Sequence, residues 1–375
     1  MSDLAILLTL ILAAGCNRTL SAPRVDRVRQ TMPSASVATS VVRAGPSSAG
    51  SAPAAIPVLE AAPNPDEEPE CKRVASLAPP THDAPTPDEQ PRLSKCDSEA
   101  LYYGIESAQN FAAARKCAYS QIEHNEQPVF GGAGILMMIY ANGKGVSASF
   151  DLALKFACEF GGAPAELGAR VAKLVEARKQ GKLNGELGIC DDATSGLLAG
   201  FCAAHDERIA AVTRGARKRR AISGLPAAAV ATLERAARAF FDSRTYGEVD
   251  LTGTARGAFA IAEQANLEDD YVSGLEKLRA PTFIPPAAGA TLAERKLNDT
   301  YTRLMKCKKS EPAEQRLPGG VTADGIRKTQ RLWLAYRDAW LALAAQLRPE
   351  TNRDAWKAWL TEQRTRMLSE LGSGC

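Results

Sequence analysis

The residues best equipped for chemistry in this sequence are its cysteines. Nine occur among 375 residues, and five of them, Cys96, Cys117, Cys158, Cys190 and Cys202, share one stretch of helical texture. Thiols grouped in this way either cross-link neighbouring helices or, as thiolates, hold zinc. Cys190, Asp191, Asp192, Cys202 and His205 are all ligand types, but no C-x-x-C pair is present, and no metal or other cofactor is expected. The short spacing of Cys190 and Cys202 suits a local bridge between adjacent helices. Cys117 has two candidate partners, Cys96 and Cys158, and Cys71 and Cys375 read as free or intermolecular. The three histidines are His82, His124 and His205. No H-E-x-x-H, G-x-S-x-G, phosphate-loop or dinucleotide pattern accompanies them, so no catalytic residue is predicted and the chain reads as a binder, not an enzyme. A hydrolase built on two scattered carboxylates is the alternative that leaves no local signature. Glu268, Asp269 and Asp270 read as a solvated helix face. The run Arg214, Arg217, Lys218, Arg219 and Arg220 reads as a solvated helix end. A net charge of +3 is too small to argue for nucleic acid.

The elements that must position these groups begin with an apolar run, Leu4 to Ala14, ending at Gly15-Cys16. It is too short to span a bilayer, which takes about 20 apolar residues, and it has the length of a signal-peptide core. Ala13, Ala14 and Gly15 before Cys16 resemble a bacterial lipobox. That resemblance implies lipidation of Cys16, a membrane anchor and a place in the cell envelope. Asn17 in the next position favours the outer membrane, facing the periplasm. With Cys16 lipidated, eight cysteines remain, an even number that in an exported chain suggests disulfides.

Residues 17–95 are rich in Ala, Pro, Ser and Thr and carry no helical or alternating period. Such a segment buries too little apolar area to offset its ordering entropy, which predicts a disordered tether. From Cys96 the texture becomes helical. LYYGIESAQNFAAARKCAYSQ reads as two short helices. An apolar helix, Gly134 to Tyr140, then runs into the turn Asn142-Gly143-Lys144-Gly145-Val146, and a second helix spans Phe150 to Phe160, capped by Ser147 or Ser149. Over about 36 residues this resembles a Sel-like repeat, a relative of the tetratricopeptide repeat, which implies helix pairs stacked on neighbours across 96–210. Helical segments continue over 211–280.

The last block, 290–372, holds the most specific pattern. Leu297, Tyr301 and Leu304 fall on one helical face. Ile326, Gln330, Trp333, Arg337, Trp340 and Ala344 fall on a second, and Trp356, Leu360, Arg364 and Leu368 on a third. Three such helices make a small antiparallel bundle. Leu297, Asn298, Tyr301 and Leu304, then Gln330, Arg331, Trp333, Tyr336, Arg337 and Asp338, then Thr361, Arg364 and Leu368, resemble the N-terminal domain family of LprI-type lysozyme inhibitors. That family often has a cysteine after the Arg-Asp pair, bridged to the last helix. Here Trp340 and Trp356 or Trp359 occupy those regions, suggesting an aromatic contact instead.

The expected architecture is therefore all-α: a helical-repeat region, helical middle segments and a C-terminal bundle behind a tether. Trp333, Tyr336 and Trp340 read as core. The resemblance implies a protein partner, lysozyme or another wall hydrolase, with Arg331, Arg337 and Asp338 as candidate contacts because a cation suits a carboxylate cleft. Its rival is an envelope scaffold that uses the helical repeat without inhibiting anything.

Overall fold

The computed structural model describes residues 68–126, 128–283, 285, 289–307, 317 and 319–372. The expected lipidation at Cys16, the tether from 17 to 67 and Cys375 lie outside the described residues. Among them the chain is helical, with no strand, as its composition and periodicity require.

The first core is built from α1 (Pro69–Val74), α2 (Gln90–Leu93), α3 (Ser98–Tyr103), α4 (Phe111–Glu123), α5 (Gly132–Asn142), α6 (Phe150–Phe160) and α7 (Pro164–Gln180); from α3 to α7 each helix packs on the next, while α1 lies on α6 and α2 on α4. Side-chain caps set the starts. Asp97 accepts from the Ala100 N–H, Asn110 from Ala113, and Ser149, not Ser147, from Leu152. α5 is buried on every side, as an apolar helix without a polar face must be, and it stops at Gly143, whose φ of 64° only glycine adopts without strain. α5 and α6 pack closely across that turn, the helix pairing expected there. Glu166, 2% exposed, ties α7 to the start of the next helix. Burial alone would raise its pKa, but N–H donation from Ser195, Thr194 and Ala163 outweighs this and holds it below the ordinary carboxylate value.

Two expectations need correction here. Residues 68–95 are no tether: they lie against the first core. Pro69 and Pro91 sit in the first turns of α1 and α2, where a missing N–H costs nothing, so these prolines start helices. Arg178 grips Glu70 through two nitrogens at 2.8 and 2.9 Å, and the buried Asp83 accepts from the Tyr140 hydroxyl at 2.7 Å. Cys71 is likewise neither free nor intermolecular. It bridges to Cys158 in α6, which leaves Cys117 to Cys96, while Cys190 and Cys202 form the expected local bridge.

α8 (Gly196–Ile222) runs through both halves of the molecule. Leu198 and Cys202 near its start belong to the first core, and Ala221 near its end belongs to the second. The second core is built from α9 (Ala227–Gly247), α10 (Arg256–Arg279), α11 (Ala290–Cys307), α12 (Ala323–Leu347) and α13 (Arg353–Leu371). Its most extensive helix pairs are α12 with α9, α10 with α8, and α11 with α13. The C-terminal helices therefore share their core with the middle segment.

The basic run of α8 is also corrected. Arg214 is buried and pairs with Glu207 and Asp269. Arg217 reaches Glu276 at 2.8 Å and Asp269 at 3.3 Å, and Lys218 reaches Glu234 at 3.0 Å. Only Arg219 and Arg220 remain exposed. The carboxylates of α10 that read as a solvated face supply Asp269 to this seam. A helix in the middle of the chain meets complementary charge on its neighbour before it meets water.

The start of α12 lies close to the end of α9 because both carry glycine there. A Cβ on Gly325 would stand 2.7 Å from the Gly247 carbonyl oxygen, a backbone atom with no room to yield. Gly325→Ala gains up to about 1 kcal/mol of helix propensity and loses about 1–3 kcal/mol to overpacking. Net destabilisation is expected, read as a lower urea midpoint; a midpoint at or above the parent's would show that the helices part without cost.

Candidate functional site

α12 divides its side chains between two neighbours. Ile326, Thr329, Trp333, Tyr336, Trp340 and Leu343 are buried, toward α9, α10 and the shared core. Tyr336 stacks on Phe240 with centroids 5.3 Å apart, and Trp340 meets Tyr271 edge-on at 6.0 Å. Burial pushes the Tyr336 phenol well above its ordinary pKa. The three aromatics expected to be core are core. Trp340 and Trp356 make no ring contact with each other, since Trp356 meets Trp359 and Phe283, each at 5.7 Å. Trp340 and Trp359 instead close together on Gly274 of α10, where an added Cβ would stand 3.1 and 3.4 Å from their rings.

The other side of α12 presents Arg327, Gln330, Arg331, Leu334 and Arg337. α11 opposes it with Glu294, Leu297, Asn298 and Tyr301, spaced to lie on one helix face. Together they line a groove of about 320 Å³. It exists because α11 packs chiefly on α13 while α12 packs chiefly on α9. Six of the residues singled out in the sequence, Leu297, Asn298, Tyr301, Gln330, Arg331 and Arg337, meet along its walls.

The three arginines differ in state. Arg327 pairs with Asp324. Arg337 lies over the Trp333 ring, 5.3 Å from its centroid, donates to Asp338 at 2.8 and 3.0 Å, and stands 3.7 Å from Glu294. Asp338 therefore orients Arg337 from the groove's edge. Arg331 is exposed, and among the described residues it has no ion-pair partner.

Behind the groove lies a buried polar network. The Arg364 side chain, wholly buried, donates to both oxygens of Glu248 at 2.7 and 2.6 Å, and its Nε donates to Gln330 Oε1 at 2.9 Å. Glu248 also accepts from Arg244 at 3.0 Å, and Arg244 donates to Glu263 at 2.8 Å. Gln330 thus lines the groove with one part of its side chain and is held by the core through another. Glu248, Arg244 and Glu263 escaped the sequence reading. The usable signal was Arg364 itself: a cation within an apolar stripe demands a buried counter-charge from some other element.

The zinc-type residues are otherwise engaged. Cys190 and Cys202 are joined, and His205 sits against Glu99 with Nδ1 at 2.6 Å, its ring stacked on Phe130 at 4.0 Å. Among the described residues no helix is long and apolar enough to cross a membrane.

Fold and groove define a class, an all-helical protein that presents a basic groove from its C-terminal helices. Residues 287–369, which include both groove walls, match the family described as lysozyme inhibitor LprI. The C-terminal resemblance read from the sequence is thereby shown for that segment, which is under a quarter of the chain. No curated protein and no solved structure matched the chain.

Proposed function

We propose that the chain is a protein-binding module of the lysozyme-inhibitor type, held in the cell envelope by a lipid on Cys16, with the α11–α12 groove as its working surface. The observation that carries this reading is the convergence of the family-matched segment's motif residues on one concave, cationic site. The test is a wall-lysis assay with the mature chain beginning at Cys16. Lysis by lysozyme should slow as the protein is raised to excess, and an undiminished rate would remove the inhibitor claim. The anchor is tested separately by fatty-acid labelling, which Cys16→Ser should abolish; an unlabelled parent protein would leave only a cleaved signal.

A second reading, an envelope scaffold, draws on α8. Leu197 and Phe201, four residues apart on one face of that helix, are 69% and 43% exposed, an apolar patch of the kind that marks contacts. Crosslinking from membranes would favour it through a stoichiometric partner other than a wall hydrolase, lost on Phe201→Glu.

A further inference from the structure

The groove has a shape as well as a charge. It is concave, walled by two helices, and lined by three arginines against one glutamate. Arg327 and Arg337 are already neutralised by Asp324 and Asp338, and Glu294 is engaged by Lys357 at 2.6 Å. The unmatched charge is therefore that of Arg331. Around it stand Leu297, Tyr301 and Leu334, the last 38% exposed at the rim, with the amides of Asn298 and Gln330. At about 320 Å³ the space lies at the small end of ligand sites, enough for a side chain or two.

We infer that the groove receives a projecting acidic element of its protein partner, an aspartate or glutamate beside an aliphatic residue. The carboxylate pairs with Arg331 and the aliphatic neighbour packs on Leu334 and Tyr301. This inference rests on the protein-binding reading above and adds a geometric restriction to it. A hollow holds a protrusion, so this face grips the partner at a raised feature and does not plug a cleft. The guanidinium fork matches a carboxylate in two places, which a point charge cannot do. Arg331 sits on a helix whose opposite face is locked in the core, so little backbone order is lost on binding.

The full chain is titrated with the peptide acetyl-Ala-Leu-Glu-Leu-Ala-amide and with its Gln twin, followed by NMR of the arginine side-chain Nε–H groups. The Glu peptide should move the Arg331 signal and bind at least about tenfold more tightly than the twin. Arg331→Ala should weaken it about ten- to a hundredfold, Arg331→Lys should restore only part, and Leu334→Asp should also weaken it. Arg219→Ala, an exposed cation on α8, should change nothing. Equal binding of the two peptides, or an indifferent Arg331→Ala, would overturn the inference. In a second arm, lysozyme with its cleft filled by a short chitin oligosaccharide should bind the chain as tightly as free lysozyme, because lysis is slowed by the bulk of the bound chain standing between enzyme and polymeric wall, whereas competition would overturn the convex-ligand geometry. Peptide discrimination without any binding to lysozyme would uphold the groove's chemistry and remove the lysozyme reading alone.

Discussion

Glu248→Ala is expected to cost the second core about 3–5 kcal/mol, the loss that follows when a buried pair is broken from one side. The variant leaves Arg364 with no counter-charge in a position where its side chain has no access to water, and it takes one of two carboxylates from Arg244. Against a total stability of about 5–15 kcal/mol, that is a large fraction. All four tryptophans of the chain, Trp333, Trp340, Trp356 and Trp359, lie in α12 and α13, so their fluorescence in urea reports on this core alone. The midpoint should fall sharply while the slope is kept. The double variant Glu248→Leu with Arg364→Leu should lose less than the sum of the single changes, because it removes both charges and leaves Arg244 with Glu263. A loss of under 1 kcal/mol for Glu248→Ala would mean that water reaches the network.

This network also marks the limit of what the sequence disclosed. The groove residues were legible because they obey local rules: α11 and α12 each place their motif side chains on one helix face, and three- and four-residue spacing is enough to find them. The buried face of α12 was legible for the same reason. What covers that face was not. Phe240, Phe241 and Tyr271 come from α9 and α10, far away in sequence, and nothing in a helical period states which helix packs on which. Arg364 read as one member of a stripe, while its partner Glu248, 116 positions earlier, sits just past the end of α9 in a stretch with no distinguishing pattern. The pairing of the basic run of α8 is hidden in the same way, since the carboxylates that meet Arg217 and Lys218 come from α10 and α9. Residues 68–95 have the composition of a tether because of their prolines, yet two of those prolines occupy the first turns of helices.

The Cys71–Cys158 bridge yields the other large expected effect. It closes a separation of 87 residues, and in the chain-entropy account a loop of that length raises the free energy of the unfolded state by about 4.6 kcal/mol. The Cys96–Cys117 bridge lies within the loop and shortens its free path by 21 residues, which alters the logarithm by only about a few tenths of a kcal/mol. The Cys190–Cys202 bridge spans 12 residues and should contribute about 3 kcal/mol on the same scale. Cys71→Ser with Cys158→Ser should therefore cost more than Cys190→Ser with Cys202→Ser. Because the first core contains no tryptophan, the loss must be followed by far-UV circular dichroism or by hydrogen exchange of the fully buried α5. Serine also leaves a buried hydroxyl at Cys71, which is 9% exposed, so the alanine pair separates that cost from the loss of the link. If the order of the two bridges is reversed in the alanine variants, loop entropy is not the dominant contribution. The native contacts of residues 68–95, Glu70 on Arg178 and Asp83 under Tyr140, would then hold that segment in place without the long bridge.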